Sequence, residues 1–183
     1  MIPTMKLLAI CGSLRASSSN FLLLKGLASL APSEVSISFF DGLAQLPHFN
    51  PDLDNETPPM EVVSFRKLLA QVEGLIISSP EYAHGVPGSL KNGLDWIVSS
   101  GELVEKPVLL IHASTEGGQR VQSQLAEILK TMSAEVQLGP PLFTGKARKA
   151  FDENGRVADP EVAEGLRRAL ELLMETVQAN PKA

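Results

Sequence analysis

Short apolar runs alternate with amphipathic segments along the whole chain, and this alternation limits the possible folds more than any other feature. The runs are dense in valine, leucine and isoleucine, so we interpret them as strands buried on both faces. Each is followed by a segment with apolar residues at helical spacing. A strand–helix unit repeated five times predicts a parallel sheet with helices on both sides. The predicted strands occupy residues 7–11, 35–40, 74–78, 107–112 and 135–138, and the predicted helices residues 21–31, 60–72, 90–98, 121–132 and 160–177.

Three loops of the predicted sheet carry the residues of chemical interest, and they follow strands 1, 3 and 4. In open parallel sheets, ligands bind beyond the carboxyl ends of the strands, near the point where the strand order reverses. With the strand order 2-1-3-4-5, strands 1, 3 and 4 are neighbours, so the three loops would meet. We therefore expect one site at this edge of the sheet.

The first loop, residues 12–20, has the composition of a phosphate-binding segment. It holds four serine hydroxyls, the guanidinium of Arg15 and the amide of Asn20 at the start of a helix, where unpaired N–H groups carry partial positive charge. Plain helix capping by serine is the alternative. The loop matches neither the nucleoside-triphosphate pattern nor G-x-G-x-x-G. Cys11 is followed by Ser17 where a cysteine phosphatase carries its arginine, so we interpret Cys11 as a buried strand residue.

The second loop, residues 79–88, carries the only tyrosine of the chain, Tyr82. An aromatic ring and backbone amides at a strand end could line a flat heteroaromatic ligand. The alternative is a turn before a capped helix with Trp96 in the core, which we favour for Trp96. His84 has the chemistry of a general base, but no serine or cysteine nucleophile pairs with it, so we expect it to be exposed or at a partner chain. The third loop, residues 113–118, has small residues that let a ring approach the backbone, or it forms a plain turn.

Composition limits the class of protein. With 183 residues, 44% hydrophobic and 20% charged, the chain predicts a single soluble domain over residues 1–183. A net charge of −5 argues against nucleic-acid binding, and a single cysteine excludes an internal disulfide framework and fits a reducing compartment. The apolar N-terminal run is too short for a signal peptide and no run could span a membrane, so we expect a cytoplasmic protein. His48, His84 and His112 lack metal-ligand spacing, which predicts no metal site.

Taken together, the three loops resemble those of the NADPH-dependent FMN reductase family, which includes quinone, azo-dye and chromate reductases. Residues 12–20 match the pattern G-S-x-R-x-x-S-x-N. Residues 80–96 match P-E-Y-x-x-x-x-P-G-x-L-K-N-x-x-D-W. The small-residue loop of residues 114–118 is the third match. The resemblance extends over nearly the whole chain, from residue 6 to about residue 177.

The resemblance implies a flavodoxin-like, three-layer α/β sandwich with a five-stranded parallel sheet in the order 2-1-3-4-5, a bound FMN, and a homodimer or homotetramer. It implies that the first loop holds the FMN phosphate, that Pro80 to Ala83 border the isoalloxazine ring, and that the third loop lies at the ring's other edge. Many members have asparagine where this chain has Ala83, and often serine where it has Gly85, so Ala83 contributes only backbone groups. The expected cofactor-binding residues are Ser13, Leu14, Arg15, Ser18, Ser19, Asn20, Pro80, Glu81, Tyr82, Ala83, Ser114, Thr115 and Gly117.

By the same resemblance, we expect an enzyme that passes electrons from NADPH or NADH through FMN to a quinone, an azo compound, free flavin or an oxidised metal ion. The flavin carries the chemistry, so no catalytic side chain is assigned. Two alternatives stay open: a flavodoxin-like electron carrier or flavin-binding protein without its own reductase activity, and a non-flavin domain whose loops only pack a dimer. The choice between NADPH and NADH also stays open. Helix 3 and residues 41–59 are the expected subunit contact.

Overall fold

The structure is a computed structural model that describes residues 5–114, 118–139, 142–143, 150–152 and 156–180. Its strands are β1 (Met5–Cys11), β2 (Val35–Phe40), β3 (Gly74–Ser78), β4 (Pro107–Ile111), β5 (Ala113–Ser114), β6 (Glu135–Leu138) and β7 (Leu142–Phe143). Five of them form one parallel sheet in the order β2-β1-β3-β4-β6, while β5 and β7 form a separate parallel pair. Because β6 is the fifth strand that the sequence predicted, the predicted strand order is confirmed.

Helices cover both faces of this sheet. In the described residues they are α1 (Ser19–Ser29), α2 (Met60–Ala70), α3 (Gly88–Asp95), α4 (Gln119–Thr131) and α5 (Pro160–Ala179). Alternate residues of a strand point to opposite faces, so Leu7 of β1 packs with α1 and α5, while Leu8 packs with α2, α3 and α4. The predicted three-layer α/β sandwich is confirmed. Among the described helices, none combines the length and the apolar character needed to cross a membrane.

Two polar side chains determine where helices begin. The hydroxyl of Ser18 accepts the N–H of Phe21 at 3.4 Å, so α1 begins at Ser19 rather than at the predicted residue 21. Asp159 accepts two main-chain N–H groups of the first turn of α5, at 2.9 and 3.3 Å, and Pro160 is the first helical residue. The first of these caps matters for the site, since it lies inside the predicted phosphate-binding segment.

The connection of residues 41–59 is fixed to the face formed by α2 and α3. The side-chain oxygen of Asn92 accepts the N–H of Phe49 at 2.8 Å, and its side-chain nitrogen donates to the carbonyl of Pro47 at 2.9 Å. The indole N–H of Trp96 donates to the same Pro47 carbonyl at 2.7 Å, and Trp96 is fully buried in the core, as predicted. The connection therefore has a defined position beside the site.

Candidate functional site

The carboxyl ends of β1, β3 and β4 lie side by side. In the sheet register, Cys11 pairs with Ser78, and Ser78 pairs with Ile111. The loops that follow these strands are loop 1 (residues 12–18), loop 2 (residues 79–87) and loop 3 (residues 112–118, which include β5). They start from adjacent positions, so the expected meeting of the three loops at one edge of the sheet is realised.

Loops 1 and 2 approach each other closely at Gly12. A Cβ atom at this position would lie 2.6 Å from Oγ of Ser79 and 3.0 Å from Cδ2 of Leu90, so any larger residue would displace a neighbour. Further out, the hydroxyl oxygens of Ser13 and Tyr82 lie 3.4 Å apart. The two loops therefore form one continuous wall, with the phosphate-binding segment next to the aromatic ring.

Loop 1 presents hydrogen-bond donors to solvent. Within the described part of the chain, the main-chain N–H groups of Ala16, Ser17 and Ser19 donate to no other group. The Arg15 side chain is exposed, and the Arg15 N–H donates to the hydroxyl of Ser13 at 3.3 Å, which bends the loop. A helix start with free N–H groups beside a guanidinium suits a phosphate. This donor set fits the phosphate end of FMN.

Two of the predicted phosphate ligands, Ser18 and Asn20, have buried side chains with partners inside the protein. Ser18 is 5% exposed and caps α1, and Asn20 is 4% exposed. The side-chain oxygen of Asn20 accepts the hydroxyl hydrogen of Ser78 at 2.9 Å and the N–H of Ala113 at 3.0 Å. Asn20 therefore joins α1 to the ends of β3 and β4, which the sequence did not indicate.

Loop 2 folds into a tight hairpin whose tip is Ala83 and His84. Tyr82 and Gly85 exchange both main-chain hydrogen bonds, at 3.1 and 2.9 Å. Ala83 has a φ of 48° and His84 a φ of 61°, which is the pattern of a two-residue turn of type I′. Asparagine and glycine adopt this conformation readily and alanine does not. Where many members of the resembled family have asparagine, this chain therefore has an alanine, which adopts the φ of this turn less readily.

Glu81 connects loop 2 to the start of α4. One carboxylate oxygen accepts the N–H of Val121 at 3.4 Å, and the other lies 3.0 Å from Nδ1 of His84. The hydrogen bond with His84 is the largest cause that holds the pKa of the Glu81 carboxyl below its usual value, against partial desolvation, and the Val121 N–H adds to it. The side-chain nitrogen of Gln124 in α4 also donates to the His84 carbonyl, at 3.2 Å. The Glu81 carboxylate thus fixes the position of loop 2 against α4.

Loop 3 is closed by a glycine that no other residue can replace without strain. Gly118 has a φ of 87°, and a Cβ atom there would lie 2.3 Å from Cδ2 of the buried His112. The main chain of Ser114 pairs with Phe143 in the β5–β7 pair. The predicted site residues Thr115 and Gly117 lie outside the described residues.

The predicted site residues thus divide by exposure. Exposed residues face the space where a ligand can bind, whereas buried ones position the loops. Sequence reasoning missed three of the residues that position the loops: Ser78, Val121 and His112, which lack any motif signal. Ser78 and Val121 act through contacts 58 and 40 positions apart in the chain, and His112 packs against Gly118. Leu14, Arg15, Tyr82 and Ala83 are exposed, Ser13, Ser19, Pro80 and Glu81 are half-buried, and Ser18 and Asn20 are buried.

Comparison with known proteins matches nearly the whole chain to reductases. The family model for NADPH-dependent FMN reductase matches residues 5–148. A quinone reductase of Escherichia coli (strain K12) is 30% identical over 184 residues, which cover 97% of this chain and 98% of that protein. A 2-hydroxy-1,4-benzoquinone reductase of a Burkholderia species is 33% identical over 180 residues, covering 96% of this chain and 95% of that protein. The solved structure of FerB, a flavoenzyme NAD(P)H:(acceptor) oxidoreductase from Paracoccus denitrificans, superposes with a TM-score of 0.87 at 24% identity, covering 96% of this chain and 98% of that one.

The family match spans most of the chain, and the fold and the donor set of loop 1 agree with it. The predicted family, fold class, enzyme class and FMN cofactor are therefore confirmed. The chain belongs to the NADPH-dependent FMN reductase family and is an FMN-dependent NAD(P)H oxidoreductase.

Proposed function

We propose that the protein is a cytoplasmic quinone-type reductase, which uses FMN to pass two electrons from NADH or NADPH to a small flat acceptor. The observation that carries this proposal is the exposed ring of Tyr82, 49% accessible, beside the donor-rich loop 1. The names of the Escherichia coli and Burkholderia relatives support a quinone as the acceptor. The only cysteine, Cys11, is a free thiol, which suits a reducing compartment.

Loop 1 would hold the phosphate of FMN. The free N–H groups of Ala16 and Ser17, the Ser13 hydroxyl and the Arg15 guanidinium are the available donors. A helix start carries partial positive charge, so these groups complement a phosphate dianion. Ser18 and Asn20 contribute by holding the loop in shape, since their side-chain oxygens are already engaged inside the protein.

Loops 2 and 3 would border the isoalloxazine ring. Pro80, Glu81 and Ala83 contribute main-chain groups, and Tyr82 contributes an exposed aromatic surface on which a flat acceptor can stack. Loop 3 would supply the opposite edge through Ser114, Thr115 and Gly117. When bound, FMN supplies the redox chemistry, because its ring accepts a hydride from NAD(P)H and passes both electrons to the acceptor. Hydride transfer to the flavin requires no acid–base side chain, so we assign none.

The test is anaerobic reduction of the loaded protein. The purified protein is mixed with FMN, freed of excess flavin, and its visible spectrum is recorded before and after addition of NADH or NADPH, and again after 1,4-benzoquinone. We expect retained flavin to bleach with at least one nucleotide and to recover its colour with the quinone. A flavin that stays oxidised with both nucleotides would overturn the reductase and favour an electron carrier. Bleached flavin that benzoquinone does not reoxidise would overturn the choice of acceptor.

We also propose that the protein is a homodimer whose contact includes α3 and the connection of residues 41–59. Asp54 of this connection pairs with Arg66 of α2 at 2.8 Å and accepts the hydroxyl of Ser99 at 2.5 Å. The chain neighbours of Asp54 and Ser99 are Leu53 and Val98, whose exposed side chains are 44% and 60% accessible. Large exposed apolar side chains grouped together are typical of subunit contacts.

Light-scattering mass measurement tests the dimer. We expect a dimer for the natural protein and a monomer for Val98→Asp, because a charge in the contact would be desolvated. The matched control is Leu172→Asp on α5, which is exposed on the opposite face of the sheet and should leave the dimer intact. A monomeric natural protein would contradict the proposal.

A further inference from the structure

The tip of loop 2 carries an acid–base pair that the proposed function does not use. Nδ1 of His84 lies 3.0 Å from one carboxylate oxygen of Glu81. The other carboxylate oxygen accepts the N–H of Val121, so the pair is anchored to α4. An ionised carboxylate only accepts hydrogen bonds, and therefore Nδ1 carries the hydrogen that faces Glu81. This leaves Nε2 as the ring nitrogen that can exchange a proton with another molecule.

The main chain of His84 is fixed, while its ring is open to solvent. The His84 carbonyl accepts the side-chain N–H of Gln124 in α4 at 3.2 Å. The side chain of His84 is 74% exposed, whereas that of Glu81 is 21% exposed. A shielded carboxylate that holds an imidazole by Nδ1 is the arrangement by which proteins orient a histidine for proton transfer at Nε2.

His84 also lies close to the surface on which the acceptor is proposed to stack. It is two residues beyond Tyr82, within the tight hairpin that Tyr82 and Gly85 close, and two residues of chain span at most about 7 Å. Among the exposed side chains of loops 1 and 2, the ionisable ones are those of Arg15, Tyr82 and His84. Guanidinium and phenol groups keep their protons at neutral pH, whereas an imidazole exchanges its proton between about pH 5 and 8. His84 is therefore the exposed group of these two loops that suits proton transfer near neutral pH.

The reduction of a quinone requires such a proton. The acceptor takes up a hydride, which carries both electrons, and one of its oxygens is left with a negative charge. A proton on that oxygen completes the hydroquinone. A general acid within hydrogen-bond reach of the oxygen accelerates this step.

We propose that His84 donates this proton, from Nε2 to the oxygen of the bound quinone, and that Glu81 is the positioning residue that orients its ring. The inference rests on the proposed reductase function, because it adds a proton donor to the quinone half of that reaction. In this step the Nε2–H bond breaks, an O–H bond forms, and the ring regains a proton from water. Both electrons come with the hydride that the reductase reaction supplies, so the proton transfer itself oxidises and reduces nothing.

Few charged groups determine how this step depends on pH. Within the described residues, those that act on the pair are Glu81 itself and Arg120 at the start of α4, whose positive charge is a smaller cause of the lowered pKa of the Glu81 carboxyl. Gln124, which also contacts the hairpin, is uncharged. The carboxylate stays ionised at neutral pH, so the imidazole alone changes its charge between about pH 5 and 8. We therefore expect quinone reduction by the natural protein to slow as the pH rises through this range.

The first experiment compares two oxidants of the FMN-loaded protein, which is reduced anaerobically with dithionite and then mixed with the oxidant in a stopped-flow instrument. Reduction of 1,4-benzoquinone consumes protons, whereas ferricyanide takes electrons alone. We expect His84→Gln to slow reoxidation by the quinone about 100-fold near neutral pH, the lower end of what a general acid contributes, to lose the decline with pH, and to keep the ferricyanide rate. The matched control is His48→Gln, at an exposed histidine of the connection of residues 41–59, which should keep both rates.

The outcomes separate the proton donor from the function on which it rests. A quinone rate in His84→Gln equal to the natural one, or an equal loss with both oxidants, would overturn the proton donor and leave the reductase standing. A natural protein that benzoquinone does not reoxidise would overturn both. Recovery of the quinone rate of His84→Gly on addition of free imidazole would support the proton donor. This variant keeps the hairpin, because glycine readily adopts the φ of 61° at this position.

The second experiment uses the protein without flavin and measures no activity. Nitrogen-15 NMR of the imidazole rings distinguishes the Nδ1–H form from the Nε2–H form, and the loss of signals in His84→Gln assigns those of His84. At about pH 8, where an ordinary imidazole is neutral, we expect the Nδ1–H form in the natural protein and a shift toward the Nε2–H form in Glu81→Gln. A His84 ring that is in the Nε2–H form in the natural protein would overturn the role of Glu81.

Discussion

Asn20 and Ser78, which are 58 positions apart in the chain, form a buried hydrogen bond of 2.9 Å that joins the start of α1 to the end of β3. The same oxygen of Asn20 accepts the N–H of Ala113, which follows β4, at 3.0 Å. One side chain therefore ties the start of α1, which follows loop 1, to the strand end that precedes loop 2 and to loop 3. Asn20 therefore holds these loops in position relative to one another.

Replacing Asn20 tests this coupling. Asn20→Ala leaves the Ser78 hydroxyl and the Ala113 N–H buried without an acceptor, so we expect the free energy of unfolding to fall by about 2–4 kcal/mol. Ser78→Ala removes only a donor and should lower it by about 1 kcal/mol. Urea unfolding of both single variants and of the double variant completes a double-mutant cycle. We expect a coupling of about 1 kcal/mol, and simple additivity of the two effects would contradict the shared bond.

Arg15→Ala tests the phosphate assignment. A hydrogen bond to a charged group contributes about 1.5–3 kcal/mol, so FMN binding should weaken by roughly 10- to 150-fold. The protein is titrated with FMN in the absence of any nicotinamide nucleotide, and binding is measured by the quenching of flavin fluorescence. This design separates the effect on FMN from any effect on co-substrate binding. Arg168→Ala is the control, because Arg168 pairs with Glu164 on the surface of α5. FMN affinity equal to that of the natural protein would mean that Arg15 does not hold the phosphate.

Ala83→Asn should stabilise the hairpin of loop 2. Ala83 has a φ of 48°, which asparagine adopts more readily than alanine, so we expect the free energy of unfolding to rise by about 0.5–1 kcal/mol. The control is Ala44→Asn, in the short 3-10 turn Gly42–Ala44, where no such gain is expected. Chemical denaturation measures both. A loss of stability in Ala83→Asn would show that the turn does not strain the alanine.

Gly118 and Gly101 form a matched pair that separates backbone strain from steric conflict. Both have positive φ, 87° and 77°. A Cβ atom at Gly118 would meet the His112 ring at 2.3 Å, whereas one at Gly101 would lie 3.7 Å from Cγ2 of Val104, an ordinary contact. Gly101→Ala should therefore lower the free energy of unfolding by about 1–2 kcal/mol. Gly118→Ala should lower it by about 1–3 kcal/mol more and should also weaken FMN binding, because loop 3 must move. Equal effects of the two substitutions would contradict the close packing on His112.

Glu81 predicts a pH-dependent difference in stability. The pKa of its carboxyl is lowered in the folded state, chiefly by the hydrogen bond with His84. A carboxyl group whose pKa is lowered by folding stabilises the folded state at pH values above its unfolded-state pKa. This stabilisation is lost as the pH falls through the folded-state pKa. The natural protein should therefore exceed Glu81→Gln in stability near neutral pH, and the difference should shrink below pH 4.5, the ordinary value for this group.

Denaturant unfolding at a series of pH values from neutral to acidic measures this difference. His84→Ala should reproduce part of the effect, because it removes the largest cause of the shift while leaving the Val121 N–H in place. A stability difference that stays constant over the whole pH range would show that the Glu81 charge does not anchor loop 2 to α4.

The elements of the fold were predictable because their signals are local. The run of Leu75, Ile76 and Ile77 needs no distant partner to indicate a buried strand, since apolar composition and length suffice. The cap at Asp159 followed by Pro160 is likewise encoded in adjacent residues. The predicted start of α1 was wrong by two residues, because Ser18 was assigned to a ligand rather than to the helix cap.

The sequence by itself determined the strands and helices and the motifs of the family, including the segment around Arg15, because periodicity and motif are properties of neighbouring residues. The strand order followed from the resemblance to the family. Only the tertiary structure decided which polar groups of that segment are exposed and which hold the loops together. Asn20 meets Ser78 across 58 positions, and Glu81 meets Val121 across 40. Asp41, the residue after β2, lies near loop 1 because β2 pairs with β1. Such contacts arise from packing in three dimensions, so no local pattern of residues encodes them.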